Sequence, residues 1–314
     1  MNRLWSAGAR VADNRASSSR PGFGGTHARI LTAVLLIPVV VTAVLWAPTA
    51  LVTLLTMVVL FLCLVEFFYL ATLAGLRGYP RWTTFCALML VLVQWAGASV
   101  AVRSFGGQLL IVREPGSLLA RLAVPVELLL LVFVFGAAVL AVLSRRPVRE
   151  APGALGVSAA AMLLVALPLS YAVRLHGADP LGRKLLLFVL VLVWAGDTLA
   201  YFTGRLIGRR PLAPVLSPKK TWEGAAANLV AALFVAALLA RWVGVEVVQL
   251  ALVAALANLA GQLGDLAESA YKRAAGVKDS GALLPGHGGM LDRVDSLLFA
   301  LPVVWGYLWI LEWR

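Results

Sequence analysis

The chain has 314 residues, 61% of them hydrophobic and 13% charged. Soluble domains average about 45–50% apolar and about 25% charged, so a soluble globular fold is excluded and one integral membrane domain is expected. The net charge of +12 does not indicate nucleic acid. In a multi-pass chain, excess Lys and Arg serve the positive-inside rule and contact with anionic lipid, and no basic patch here is interleaved with aromatics. Cys63 and Cys86 both lie in apolar segments and read as small buried hydrophobes rather than a disulfide or metal pair. The 22 Arg against 5 Lys hint at a GC-rich bacterial source.

Residues 1–29 scatter Arg3, Arg10, Arg15, Arg20 and Arg29 through Ser, Gly and Pro, a composition expected to form a disordered basic cytoplasmic tail. A cleaved signal peptide is the competing reading, disfavoured by the unusually long polar segment before the first apolar run. Apolar runs long enough to cross a bilayer fall near 30–47, 50–73, 82–102, 119–143, 154–173, 185–203, 225–241, 245–264 and 296–312. The expectation is an all-α, polytopic helical bundle of about nine transmembrane helices over residues 30–314, with an N-terminus in the cytoplasm. That orientation places 19 Lys and Arg inside and 7 outside, as the positive-inside rule requires. It also puts the two chemically rich loops, 204–224 and 264–295, on the cytoplasmic face.

Charged groups inside apolar runs are costly unless they face protein or water. Glu66 and Glu127 are each read either as structural polar contacts or as cavity-lining groups. His176 reads as a solvated loop residue. Asp197 lies within Trp194-Ala-Gly-Asp197-Thr-Leu-Ala-Tyr201-Phe-Thr-Gly204-Arg-Leu-Ile-Gly208. Small residues at 196, 200, 204 and 208 recur every four and line one helix face, which suits helix packing. Asp197 falls one position off that stripe and is a candidate site residue.

The loop after that helix reads Ser217-Pro-Lys219-Lys220-Thr221-Trp-Glu223-Gly224. Ser217, Thr221 and backbone amides can donate to phosphate oxygens, and two adjacent lysines supply positive charge. A juxtamembrane basic pair on lipid headgroups is the plainer alternative. Residues 264–295 then concentrate five acids (Asp265, Glu268, Asp279, Asp292, Asp295), four bases (Lys272, Arg273, Lys278, Arg293) and His287. Pro285-Gly286 and the Gly288-Gly289 pair lie among them. Glycines beside acids let backbone approach a phosphate or metal closely, and carboxylates are the hard ligands Mg²⁺ prefers. If the eighth helix continues past the bilayer, Asp265, Glu268 or Ser269, and Lys272 share one face; Asp292 and Asp295 share another at the start of the ninth. A helix dipole explains Asp292 and Asp295 without a ligand. It does not explain Asp265 at a helix C-terminal end, where a bound cation would resolve the conflict. The expected metal ligands are Asp265 and Asp292, with Asp295 or Asp197 assisting.

Ser269-x-x-Lys272-Arg273-x4-Lys278-Asp279-x-Gly281, followed by Pro285-x-His287-Gly288-Gly289-x-x-Asp292-Arg293-x-Asp295, resembles the signature of the phosphatidate cytidylyltransferases (CDP-diacylglycerol synthases). Tyr271 departs from the family's usual aliphatic residue. The likeness extends to Asp197-x-x-Ala-Tyr201 and to the Ser217–Gly224 motif, while the N-terminal half matches only in hydrophobicity. The resemblance implies an enzyme of phospholipid biosynthesis in the cell membrane that takes CTP and phosphatidate and releases CDP-diacylglycerol and pyrophosphate. It implies Mg²⁺ as cofactor, alone or with a second cation. Lys219, Lys220, Lys272, Arg273, Lys278 and Arg293 would neutralise phosphate oxygens beside Asp279, Glu223, Ser269, Gly288 and Gly289. His287 would donate to pyrophosphate or fix its turn. The resemblance also makes a homodimer an expectation, through the apolar N-terminal helices. Two rivals remain: a CTP-dependent polyprenol kinase, which would release CDP, and a transporter with a cation site. Charge gathered at one face and the lack of an internal repeat disfavour the transporter.

Overall fold

The computed structural model describes residues 37–98, 100–105, 108–113, 124–144, 147–178, 181–281 and 288–312, with 100–105, 108–113 and 311–312 as backbone only. The expected tail over 1–29 and His287 lie outside these residues. The chain forms two units, 1–39 and 40–314, and the second holds the helical bundle.

The helices are α1 (Ile37–Trp46), α2 (Thr49–Leu73), α3 (Pro80–Ala98), α4 (Val126–Leu143), α5 (Val148–Gly177), α6 (Leu181–Ile207), α7 (Trp222–Val243), α8 (Val247–Ala274) and α9 (Leu291–Glu312). Seven of them, α2 and α4 to α9, are long and apolar enough to cross a membrane among the described residues. The expectation of nine crossings adds α1, which is short, and α3. Two antiparallel hairpins accompany the helices: β1 (Val100–Phe105) with β2 (Gln108–Arg113), and β3 (Pro211–Ala213) with β4 (Ser217–Thr221). The third helix was expected to run to residue 102. It stops at Ala98, and the stretch rich in β-branched residues beyond it is strand instead.

α5 carries a π-helical turn over Ala161–Ala166 just before Pro168. Proline has no N–H to donate and its ring crowds the preceding turn, so the wider turn absorbs the misfit. Fully buried Leu60, Leu64, Leu90, Met162, Leu185, Phe188, Leu192 and Leu301 form a core shared by α2, α3, α5, α6 and α9. By contrast α4 buries little besides Phe133 and Ala137, so its outer face suits lipid. Glu127 is exposed in its first turn, where the dipole favours an acid.

His176 is fully buried in α5, with Nδ1 3.1 Å from Thr49 Oγ1. The expectation of a solvated residue is therefore wrong: α5 runs four residues beyond the anticipated span and carries His176 against the start of α2. Cys63 and Cys86 are buried and unpaired, as expected.

α6 packs on α7, α7 on α8 and α8 on α9. Their alternating directions bring the C-terminal ends of α6 and α8 and the N-terminal ends of α7 and α9 to one face. α8 has 28 residues, about 42 Å at 1.5 Å per residue, against about 30 Å of hydrocarbon. Its last turns therefore project past the apolar layer, and Asp265 lies near the boundary.

Candidate active site

The hairpin β3–β4 leads directly into α7, and its last residue is that helix's N-cap. Thr221 Oγ1 accepts a hydrogen bond from Gly224 N at 3.1 Å, and the Glu223 carboxylate accepts one from Arg210 N at 3.4 Å. These two residues of the loop motif thus fix the start of α7. The small-residue stripe of α6 meets them: Thr221 Oγ1 would lie 3.2 Å from a Cβ on Gly204, and Ala200 O 3.0 Å from one on Gly224. Packing is therefore one use of the stripe, and it leaves Asp197 and Tyr201 beside a cavity.

That cavity is about 650 Å³ and is bounded by α6, the hairpin, α7, α8 and α9. Asp197, Arg205, Lys219, Lys220, Asn228, Gln262 and Asp265 supply its charged and amide groups. The volume is that of an ordinary small-ligand pocket. Lys220 is ion-paired with Asp265 across it.

Gly261 and Gly264 decide which acids meet. A Cβ on Gly264 would lie 2.7 Å from Asp295 O and 2.8 Å from the Phe299 ring, and one on Gly261 3.2 Å from Ser296 O. Without side chains there, α9 lies close against α8. The result is a cluster of Asp265, Glu268 and Asp295, each with a carboxylate oxygen within 4.8 Å of the others. Glu268 is 5% exposed, and apart from its ion pair with Lys272 its two oxygens accept no hydrogen bond among the described residues. Three like charges this close repel strongly in a poorly hydrated site. Carboxylate oxygens gathered this closely fit a hard divalent cation, Mg²⁺ among them.

Asp292 occupies a different place from the one expected. Its Oδ1 pairs with Lys272 Nζ at 2.6 Å, and its Oδ2 accepts from Gly289 N at 2.8 Å and Ser280 N at 2.9 Å. Both oxygens are engaged in closing the loop, and the acids that lie beside Asp265 are Glu268 and Asp295.

Glu66 of α2, which the sequence left between two readings, is a structural contact. Its carboxylate accepts from Met290 N at 2.9 Å and Leu291 N at 2.8 Å, capping α9 from another helix. Ser280 Oγ lies 3.0 Å from Glu66 Oε2 and 2.9 Å from Asp292 Oδ2, and its single proton serves one at a time. A Cβ on Gly281 would lie 2.6 Å from Glu66 Oε1, and one on Gly289 would collide with Ser280 Oγ and Glu66 Oε2. These glycines make room for carboxylates of the protein itself, a use the phosphate-cradle reading did not include. Gly288 takes φ +77°, a conformation that favours glycine.

Residues 27–311 match the model of the cytidylyltransferase family. The chain belongs to that family. It is similar to the phosphatidate cytidylyltransferases of Bacillus subtilis (40% identity over 147 residues, 46% of this chain and 55% of that one) and Haemophilus influenzae (48% over 127 residues, 38% and 44%). The enzyme of that name from Brucella abortus is 48% identical over 135 residues, 42% of this chain and 49% of that one. The chain thus spans about half the length of the curated relatives it matches.

Within this fold, the expected residues divide by location. Asp197, Lys219, Lys220, Thr221 and Asp265 border the cavity, and Asp295 joins Asp265 in the acid cluster. Lys272 and Asp292 lock the loop to α8. Arg273 donates from Nε to Leu216 O and from a terminal nitrogen to Val277 O, both at 3.0 Å, so it ties the hairpin to the end of α8. Lys278, Asp279 and Arg293 are exposed, Ser269 is buried, and Ser217 is half-buried in β4.

Sequence reasoning missed an amide ladder crossing α6, α7 and α8. Asn228 Nδ2 donates to Asp197 Oδ1 at 3.4 Å, Asn258 Nδ2 to Asn228 Oδ1 at 2.5 Å, and Gln262 Nε2 to Asn258 Oδ1 at 2.7 Å. Uncharged amides barely interrupt an apolar run, and their only signal was their rarity there.

Proposed function

We propose that this cytidylyltransferase moves a cytidylyl group from CTP to phosphatidate, releasing CDP-diacylglycerol and pyrophosphate. The observation that carries the reading is the cavity, bordered by Lys219, Lys220 and Arg205 together with Asp265 of the Asp265–Glu268–Asp295 cluster. A triphosphate needs both positive charge and metal-binding oxygens, and a nucleotide fits the volume. The names of the relatives and the signature run support the choice of substrates.

In the reaction a phosphatidate oxygen forms a bond to the α-phosphorus of CTP. The bond from that phosphorus to the oxygen bridging to the β-phosphate breaks, and pyrophosphate leaves with the electron pair. A phosphate nucleophile is already ionised near neutral pH, so positioning and charge neutralisation dominate. Lys219, Lys220 and Arg205 bind phosphate oxygens, and the N-terminus of α7, held by Thr221, adds the positive end of a helix dipole. Lys272 keeps Glu268 and Asp292 in place. Mg²⁺ held by Asp265, Glu268 and Asp295 would neutralise triphosphate charge and assist the leaving group. The boundary position of Asp265 suits a lipid whose headgroup stays at that depth. The surplus of Lys and Arg in the loops on the site's side supports a cytoplasmic face of the cell membrane. Self-association through the outer faces of α2 and α4 is part of the same proposal.

The test is a product assay on detergent-purified protein with CTP, phosphatidate and Mg²⁺. Pyrophosphate released in step with CDP-diacylglycerol supports the reading. CDP released with a phosphorylated lipid alcohol, in a parallel reaction on a polyprenol, refutes it in favour of the kinase.

A further inference from the structure

We propose that Gln262 reads the base of the nucleotide, its Oε1 accepting a hydrogen bond from the exocyclic 4-amino group of cytosine. The inference rests on the cytidylyltransferase reading above and adds how the site selects its nucleotide.

Asp197 sets the direction of the amide ladder, because an ionised carboxylate can only accept. Asn228 must therefore turn its Nδ2 toward Asp197 and its Oδ1 away. That oxygen accepts from Asn258 Nδ2, which turns Asn258 Oδ1 toward Gln262. Gln262 donates from Nε2 to Asn258 Oδ1 at 2.7 Å and to Ala225 O at 3.3 Å. Both amide hydrogens are then used and the side chain cannot flip without losing both bonds. The ladder has a fixed polarity, and it ends on one acceptor, Gln262 Oε1, in a residue that lines the cavity.

Gln262 precedes Asp265 by one turn of α8, and the cationic groups Lys219, Lys220 and Arg205 border the same space. A nucleotide with its phosphates at the lysines can place its base toward the more apolar end of α8, where Gln262 lies. Cytosine carries two donors at position 4, and uracil carries an acceptor there. An immobilised acceptor favours the first and repels the second, with the penalty set by leaving buried polar groups unpaired.

The decisive experiment compares CTP, UTP, dCTP and zebularine triphosphate, which lacks the 4-amino group, by kcat/KM for lipid product. Wild-type protein should use zebularine triphosphate and UTP at least about tenfold less well than CTP. Gln262→Met should lower the CTP-to-UTP ratio by about tenfold or more, and removing the 4-amino group should then cost nothing further. Gln262→Glu keeps an acceptor but loses the two donations that hold it in place, so it should retain part of the preference for CTP, more than Gln262→Met does. A role confined to packing α8 on α7 predicts that Glu is as damaging as Met, with the nucleotide ratio unchanged in both. The proposal is overturned by that pattern, by equal use of CTP and zebularine triphosphate in the wild type, or by a change in the CTP-to-dCTP ratio alone, which would put the contact on the ribose. The wild-type comparison needs no variant to fold. Failure of wild type to make CDP-diacylglycerol from CTP at all would instead refute the functional reading beneath it.

Discussion

Replacing Glu66 by alanine should unfold the signature loop although Glu66 comes from α2, more than 200 positions earlier in the chain. The substitution removes the acceptor for Met290 N and Leu291 N and one of two partners of Ser280 Oγ. Glu66 is 8% exposed, so water does not readily replace it. A buried donor left unpaired costs about 1–3 kcal/mol, and two of them give about 2–6 kcal/mol, a large share of the about 5–15 kcal/mol that holds a typical domain. Glu66→Gln keeps one oxygen acceptor and should lose about half as much. The assay is thermal unfolding of detergent-purified protein, with product formation measured on the same preparation. Expected is a melting temperature ordered wild type, Gln, Ala, with activity falling in the same order. An Ala variant that melts and turns over like wild type, a change below about 0.5 kcal/mol, would refute the claim that this carboxylate caps α9.

Gly289→Ala should be strongly destabilising alone and cost less in a Glu66→Ala background, because one of its two collisions is gone; thermal unfolding of the four proteins of that cycle measures the coupling. Asp265→Ala and Glu268→Gln should raise the Mg²⁺ concentration needed for half-maximal activity while leaving melting near wild type. Asp292→Asn should chiefly lower the melting temperature, which a magnesium titration run beside unfolding separates. EDTA should abolish product formation and Mg²⁺ restore it. Thr221→Ala removes the N-cap of α7 and should cost about 1 kcal/mol, read by thermal unfolding.

Legibility in the sequence tracks the cost of each group in lipid. Asp197 interrupts an apolar run and Asp265 ends one, at a price no passive side chain pays, so they stand out, and they border one cavity with the two loop lysines. The helices were legible for the same reason, their ends less so, since α5, α6 and α8 continue into polar residues that a hydropathy window discards. Pairing between helices was not legible. Spacing alone makes Asp292 and Asp295 equivalent at the head of α9, and only the close approach at Gly261 and Gly264 decides that Asp295 faces Asp265 and Glu268. The signature glycines were ambiguous because a missing Cβ admits a protein carboxylate as readily as a phosphate. Gly281 and Gly289 admit Glu66. The run of residues that marks the family therefore serves two ends. Part of it, with Asp295, joins Asp265, which borders the cavity. The other part, with Ser280, Gly281, Gly289 and Asp292, holds α9 against α2 and α8, and through that contact the apolar N-terminal half, which carries none of the motif, sets the geometry of the acids.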